Sequence, residues 1–314
     1  MKLNKKVISV VLFVVLFGGA LILLCCCDPY HDVCVNGVCA QLDRSDYTAT
    51  VYRFEKDPSV GQYEAQDCYV PETIYYNKNL YTVTALNGLY YNREIVSNGG
   101  HAKRIVVPST VTEIDFLSFS ASDNYDYLEA ILVHKDNPNY ADVDGVMYDK
   151  SCTTLIMYPP AKRDETMVIR QSVTEIYESQ LNYSNKYVSS VSVETGNTVY
   201  SAIDGMLFSQ NGTLLEYVPY GYDEVLELPS GVTCIAKWAL RYANVEHMYL
   251  PESVVELRYP YAFYNPLRYV RNLYFEAAEP TCIFGLEDYL NQVNCGVSRE
   301  EFRQLTSSAD NQVI

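Results

Sequence analysis

Val107-Pro108-Ser109-Thr110-Val111-Thr112-Glu113-Ile114, with Phe119 five residues on, is the stretch on which the fold turns. It reads as an apolar strand end, a proline, a polar turn and a second short alternating run. Proline fixes φ and withholds an N–H, so a strand ladder stops there and the chain turns. The frame recurs as Val173-Thr174-Glu175-Ile176 with Leu181, Val232-Thr233-Cys234-Ile235 with Leu240, and Val83-Thr84-Ala85-Leu86 with Tyr91. Val254-Val255-Glu256-Leu257 with Phe263 fits with one extra residue. The strand-proline half recurs at Tyr69-Val70-Pro71, Glu227-Leu228-Pro229 and Tyr249-Leu250-Pro251, and Arg170 takes the proline's place after Val168-Ile169.

A longer unit overlays this one at a shift of 60: Asn137, Tyr140, Asp144, Gly145, Leu155 and Pro159 fall on Asn197, Tyr200, Asp204, Gly205, Leu215 and Pro219. Steps between strand ends after Val107 run 26, 36, 24, 35, 22 and 25 residues. The shorter steps are the size of one leucine-rich-repeat coil. The two longer ones hold Asp144-Gly145 and Asp204-Gly205, turn pairs that read as inserted β-hairpins. A calcium reading of Asp142-x-Asp144-Gly145 lacks the acidic ligands that would have to come after it. A single coil cannot bury its apolar face, so neighbours must cover it. The expected architecture is a mostly β, right-handed solenoid over residues 46–280, with a continuous parallel sheet, short helical or irregular return segments and inserted hairpins.

Val70-Pro71-Glu72-Thr73-Ile74-Tyr75-Tyr76-Asn77, Tyr81-Thr82-Val83-Thr84, Pro108-Ser109-x-Val111-Thr112-x-Ile114 and Pro251-Glu252-Ser253-Val254 together resemble the repeats of BspA-like leucine-rich-repeat proteins, over roughly residues 65–280. The resemblance implies an exported cell-surface protein of a host-associated microbe that mediates adhesion or recognition, which is an analogy of fold.

Ahead of the repeats, Lys2, Lys5 and Lys6 precede the apolar run Val7 to Leu24, the pattern of an export signal or membrane anchor over residues 1–26. Leu24 followed by Cys25, Cys26 and Cys27 resembles a bacterial lipobox, which makes Cys27 the candidate lipidation site. An uncleaved anchor and an ordinary cleaved signal are the alternatives, and all three export the rest of the chain. The membrane then meets the protein at its N-terminus only. Residues 27–45 read as a tether containing Cys34-Val35-Asn36-Gly37-Val38-Cys39, and residues 281–314 as a C-terminal cap or tail. Asn-Gly favours a two-residue hairpin turn, which sets Cys34 opposite Cys39 at disulfide distance. Cys282 and Cys295 are a second candidate pair.

The composition narrows function. With 48% hydrophobic residues the chain buries a core; with 23 Lys and Arg against 39 Asp and Glu its net charge is −16. Loss of the three N-terminal lysines with a cleaved signal would take that to −19. Such acidity opposes nucleic acid and anionic membrane surfaces. No catalytic serine elbow, zinc-binding helix or phosphate loop appears, so neither an enzyme, a metal nor a cofactor is expected. Thirty tyrosines stand beside ten phenylalanines and one tryptophan. Most suit half-exposed strand positions copied from coil to coil; Tyr217, Tyr220 and Tyr222 read as a surface turn open to contact.

The candidate ligand-binding face is the outward position of each coil: Tyr69, Val106, Leu132, Val168, Ser192, Glu227, Tyr249 and Tyr274. Stacked at about 4.8 Å per coil, these form a stripe of about 35 Å. An apolar centre flanked by tyrosines suits a protein or glycan partner on a host or neighbouring cell. The same residues would equally pack against a loop of this chain or a second copy, and a structural role in the cell envelope is the alternative function.

Overall fold

The structure, a computed structural model, describes residues 30–55, 57, 59, 64–87, 101–115, 127–177, 185, 187–236, 239–240, 243, 245–257, 272–278 and 292–309, with the backbone of 13–17 and 20–24. Cys27, Cys282, Phe119, Leu181, Tyr91 and Phe263 lie outside these. The N-terminal strands are β1 (Phe13–Phe17), β2 (Ala20–Leu24), β3 (Tyr30–Val35), β4 (Val38–Asp43), β5 (Thr48–Phe54), β6 (Ala65–Tyr69), β7 (Thr73–Tyr76), β8 (Asn79–Asn87), β9 (His101–Val107) and β10 (Glu113–Asp115). The middle of the chain forms β11 (Ala130–Val133), β12 (Tyr140–Val143), β13 (Val146–Asp149), β14 (Thr154–Met157), β15 (Thr166–Ile169), β16 (Glu175–Ile176), β17 (Ser190–Val193), β18 (Ser201–Ile203), β19 (Met206–Ser209) and β20 (Leu214–Tyr217). The chain closes with β21 (Val225–Glu227), β22 (Cys234–Ile235), β23 (His247–Leu250), β24 (Glu256–Leu257), β25 (Asn272–Phe275), β26 (Gln292–Cys295) and the helix α1 (Arg299–Ala309). β1 and β2 pair antiparallel with each other. No helix among the described residues is long and apolar enough to cross a membrane.

Strands of the repeat body fall into two sets of parallel pairs. The strand-proline segments lie in one set, β6-β9-β11, β15-β17 and β21-β23-β25-β26, together with strands that no proline follows. The Val-Thr-x-Ile segments lie in the other, β5-β8-β10, β14-β16 and β20-β22-β24, beside strands of different sequence. Apolar residues of both sets meet in the interior, as Leu226, Leu228 and Met248 do with Leu215 and Ile235. Val111, Val173 and Val232, which open each Val-Thr-x-Ile unit, are fully buried, and so is Leu240. At the N-terminal end β3, β4 and β5 form an antiparallel meander, and Cys34 sits opposite Cys39, joined to it by a disulfide.

The first set is not one continuous sheet, and the inserted hairpins explain why. β12 and β13 pair antiparallel, and β13 continues antiparallel into β14. Their tip, Asp144-Gly145, lies along the free edge of β11, where Gly145 O accepts the Ile131 N–H at 2.9 Å and Asp142 accepts the Val133 N–H at 2.7 Å. The next coil's strand, β15, therefore cannot pair with β11. Gly205 does the same to β17, accepting the Val191 N–H at 2.8 Å. Gly145 has φ +78°, and a Cβ there would stand 2.6 Å from the Ala130 Cβ. Only glycine meets both demands.

Each hairpin also divides the core. Along β13, Met147 joins the N-terminal apolar cluster while Val146 and Tyr148 join the central one. Along β19, Leu207 joins the central cluster while Met206 and Phe208 join the C-terminal one. The side-chain alternation of a strand explains this, since successive residues face opposite sides. Burial pushes the Tyr148 hydroxyl up to about 12. Tyr217, expected in an open turn, is buried in the same central cluster, and burial raises its hydroxyl too.

Asparagines tie coil to coil. The wholly buried Asn137 donates from Nδ2 to the Pro108 and Val111 carbonyls, both at 2.8 Å. Its Oδ1 accepts the Asn139 and Tyr140 N–H groups. Asn197 repeats the pattern with the Arg170 and Val173 carbonyls and the Val199 and Tyr200 N–H groups. Asn185 clasps the Pro159 and Lys162 carbonyls in the same manner. Each amide thus satisfies backbone groups of the preceding coil's turn that a buried position would otherwise leave unpaired. The 60-residue shift marks Asn137 and Asn197; their job becomes visible only with the turns in place.

Candidate recognition face

Strand register brings the eight outward positions into rows. Tyr69 lies beside Val106, and Val106 beside Leu132. Val168 lies beside Ser192, while Glu227, Tyr249 and Tyr274 stand side by side. Neighbours two residues earlier on the same face are polar, Ala130 and Val225 excepted. Arg104 pairs with Asp67, and Thr166 shares a hydroxyl hydrogen bond of 2.8 Å with Ser190.

Exposure splits the stripe in two. Tyr69 is 63% and Val168 46% exposed, and Val106, Leu132 and Ser192 are partly exposed between them. Tyr249 and Tyr274, by contrast, are 0% and 7% exposed. They are not open to a partner, because α1 folds back over them. Phe302, itself fully buried, sets its ring 5.3 Å from that of Tyr249 and 4.9 Å from that of Tyr274. Arg299 lies 4.8 Å above the Tyr249 ring. Glu227 is occupied as well: Arg303 reaches its two carboxylate oxygens at 2.7 and 2.8 Å, and Arg299 adds a contact at 3.1 Å. The guanidiniums hold the Glu227 carboxyl below the usual carboxylate range. Burial, and the carboxylate of Glu276, push the Tyr249 hydroxyl up to about 12.

Local sequence explains why α1 forms. Ser298 donates from its hydroxyl to Glu301 at 2.7 Å and from its N–H at 2.9 Å, and its hydroxyl accepts the Glu301 N–H. Such a reciprocal pair closes a helix N-terminus. Phe302 and Thr306, four apart, then face the sheet. Both signals stand in the sequence, but the segment's polarity suggests no more than a cap or tail, and nothing local says which strands the helix covers.

Other candidates resolve simply. Cys295 carries a free, exposed thiol at the end of β26, in register with Phe275, and its expected partner Cys282 lies outside the described residues. Tyr220 and Tyr222 are partly exposed. The one grouping of three metal-ligand side chains among the described residues, Cys34, Cys39 and Glu55, has both sulfurs already in a disulfide. A disulfide offers no thiolate to a metal.

No protein-family profile and no curated protein matches the sequence. Among solved structures the chain is similar to the pneumococcal vaccine antigen PcpA, at 15% identity and TM-score 0.43 over 84% of this chain and 78% of that one. It is also similar to a leucine-rich repeat protein from Eubacterium ventriosum, at 14% identity and TM-score 0.39 over 83% and 77% of the two chains. A leucine rich cell surface protein from Faecalibacterium prausnitzii shares 15% identity, at TM-score 0.37 over 88% of this chain and 97% of that one. The chain's structure neighbours are bacterial leucine-rich-repeat proteins, the kind of repeat the sequence resembles.

Proposed function

We propose that this is an exported, surface-anchored repeat protein that works by non-covalent recognition or adhesion, without catalysis or a cofactor, and that it binds a protein or glycan of a host or neighbouring cell through the open part of its outward face. One observation carries the reading: the register-aligned row Tyr69, Val106 and Leu132, with the separate pair Val168 and Ser192, presents largely apolar and aromatic surface that is partly to largely exposed. On the C-terminal strands the corresponding row is filled by an aromatic residue and two arginines from α1, so this type of surface takes up a complementary element. Aromatic and aliphatic anchors with a polar border are the composition of interface centres.

The test replaces Leu132 and Val168 by Glu and measures adhesion of the full chain to host matrix and cells. Loss of adhesion with an unchanged circular dichroism spectrum is expected; unchanged adhesion rejects this face. Anchoring through Cys27 is tested separately by palmitate labelling, which Cys27→Ser should abolish.

A further inference from the structure

At the N-terminal ends of the strands that carry the open row lies a cleft of about 450 Å³, lined by Glu64, Lys103, Tyr127, Glu129, Arg163 and Tyr187 among others. That volume lies within the roughly 300–1,000 Å³ of small-ligand sites. The chain builds the cleft from consecutive coils, and two features single it out.

First, β9 carries a bulge at this point. Gln66 pairs with Ala102 but Asp67 pairs with Arg104, so Lys103 has no partner residue on β6. An extra residue of this kind re-aims a side chain, and bulges concentrate beside functional sites. Lys103 reaches Glu129 at 3.8 Å, beside the backbone hydrogen bond of 2.8 Å from the Glu129 N–H to the Lys103 carbonyl. Second, Arg163 stands 5.4 Å over the ring of Tyr187. The ring restrains the guanidinium plane through a cation–π contact. Arg163 has no carboxylate partner among the described residues, although its neighbour Lys162 is paired with Asp164 at 3.1 Å. In a chain with 39 acidic residues, an arginine oriented by an aromatic ring and without an acid partner among the described residues is a pre-set donor fork.

We propose that this cleft binds a carboxylate-bearing saccharide. The inference rests on the recognition reading above and names the ligand class for a site beside the apolar row. Arg163 receives the carboxylate through paired N–H donors, the arrangement its planar fork favours. The exposed Tyr127 offers its ring to the C–H surface of a sugar, whose hydrogens suit the negative face of an aromatic ring. The Lys103–Glu129 pair supplies a donor and an acceptor for hydroxyl groups. An open cleft rimmed by charge suits a ligand that keeps much of its hydration, and a neutral apolar molecule would leave the charged rim desolvated and unpaired.

The experiment titrates the full chain, by calorimetry, with a glucuronate-containing disaccharide and with the same disaccharide carrying its carboxylate reduced to the alcohol. Arg163→Gln, an exposed substitution, serves as the site variant, and Leu132→Glu reports on the apolar row. Binding of the acid roughly tenfold tighter than the alcohol is expected, as a charge-assisted pair supplies. Arg163→Gln should bring the acid down to the alcohol's level and leave the alcohol's affinity unchanged. Equal binding of both sugars, equal losses for both in the variant, or no heat with either sugar would each overturn the proposal. If Leu132→Glu abolishes adhesion while neither sugar binds, the saccharide site fails and the recognition face stands.

Discussion

Gly145→Ala gives the sharpest test of the inserted hairpins as wedges. Three two-residue turns share nearly one backbone geometry: Asn36-Gly37 (φ 49°, 78°), Asp144-Gly145 (52°, 78°) and Asp204-Gly205 (49°, 75°). A Cβ in this left-handed region costs about 1–2 kcal/mol whatever surrounds it. The surroundings differ. A Cβ at Gly37 meets nothing within 4 Å, whereas at Gly145 it would lie 2.6 Å from the Ala130 Cβ and 3.2 Å from the Ala130 Cα. Overpacking against an element fixed by its own ladder adds about 1–3 kcal/mol. Gly37→Ala should therefore cost about 1–2 kcal/mol and Gly145→Ala about 2–5 kcal/mol. The difference between them isolates the close approach, because the backbone cost is shared. Urea unfolding followed by near-ultraviolet circular dichroism reads both. Hydrogen exchange should also show the Ile131 amide, bonded to Gly145 O, losing protection in Gly145→Ala. Equal costs for the two variants, with the Ile131 amide still protected, would refute the wedge.

Asn137→Ala should destabilise by about 3 kcal/mol or more, since it leaves the buried Pro108 and Val111 carbonyls unpaired; the same urea series measures it, and Asn197→Ala should act in the same direction. α1 should loosen in acid. Glu227 has a folded pKa below its unfolded value, so its stabilising effect is complete above the ordinary glutamate range and is lost as pH falls through that range and the depressed folded value. Protection of the α1 amides against hydrogen exchange should fall over that window, and Glu227→Gln should weaken the pH dependence, leaving the part due to Glu301 at the helix N-terminus. Replacing Cys34 and Cys39 by Ser should cost about 2 kcal/mol, the loop-closure value for so short a loop, with hydrogen exchange rising in β3–β5 and the C-terminal coils unaffected.

What the sequence makes legible is whatever repeats locally. Val-Pro ends place the strands of one set, Asp-Gly marks both hairpin tips, and the period of two places Tyr69, Val106 and Leu132 in a single row. The misses come from long-range placement. Nothing near Gly145 says that its turn abuts Ala130 rather than solvent, so the pattern implies a continuous sheet where an interrupted one exists. Tyr249 and Tyr274 have the same outward register as Tyr69, yet a helix beginning about 25 residues beyond Tyr274 covers them. An exposed and a covered tyrosine look alike in a strand pattern, because that pattern fixes only the direction of the side chain. The cleft is hidden for a related reason. Its residues come from several coils, and the bulge that frees Lys103 is a mismatch between two strands that neither strand carries alone.

The two hairpins that partition the apolar interior have a mechanical consequence. Tension applied to a chain is carried along it, and the three interior apolar blocks here meet along the hairpin strands, β13 with β14 and β19 with β20. Stacked repeats couple through nearest neighbours, so a break in one block need not spread past a boundary. Pulled from its ends, the molecule should extend in a few discrete lengths instead of one run. The block that holds the open row would then still be folded after the weakest one has given way.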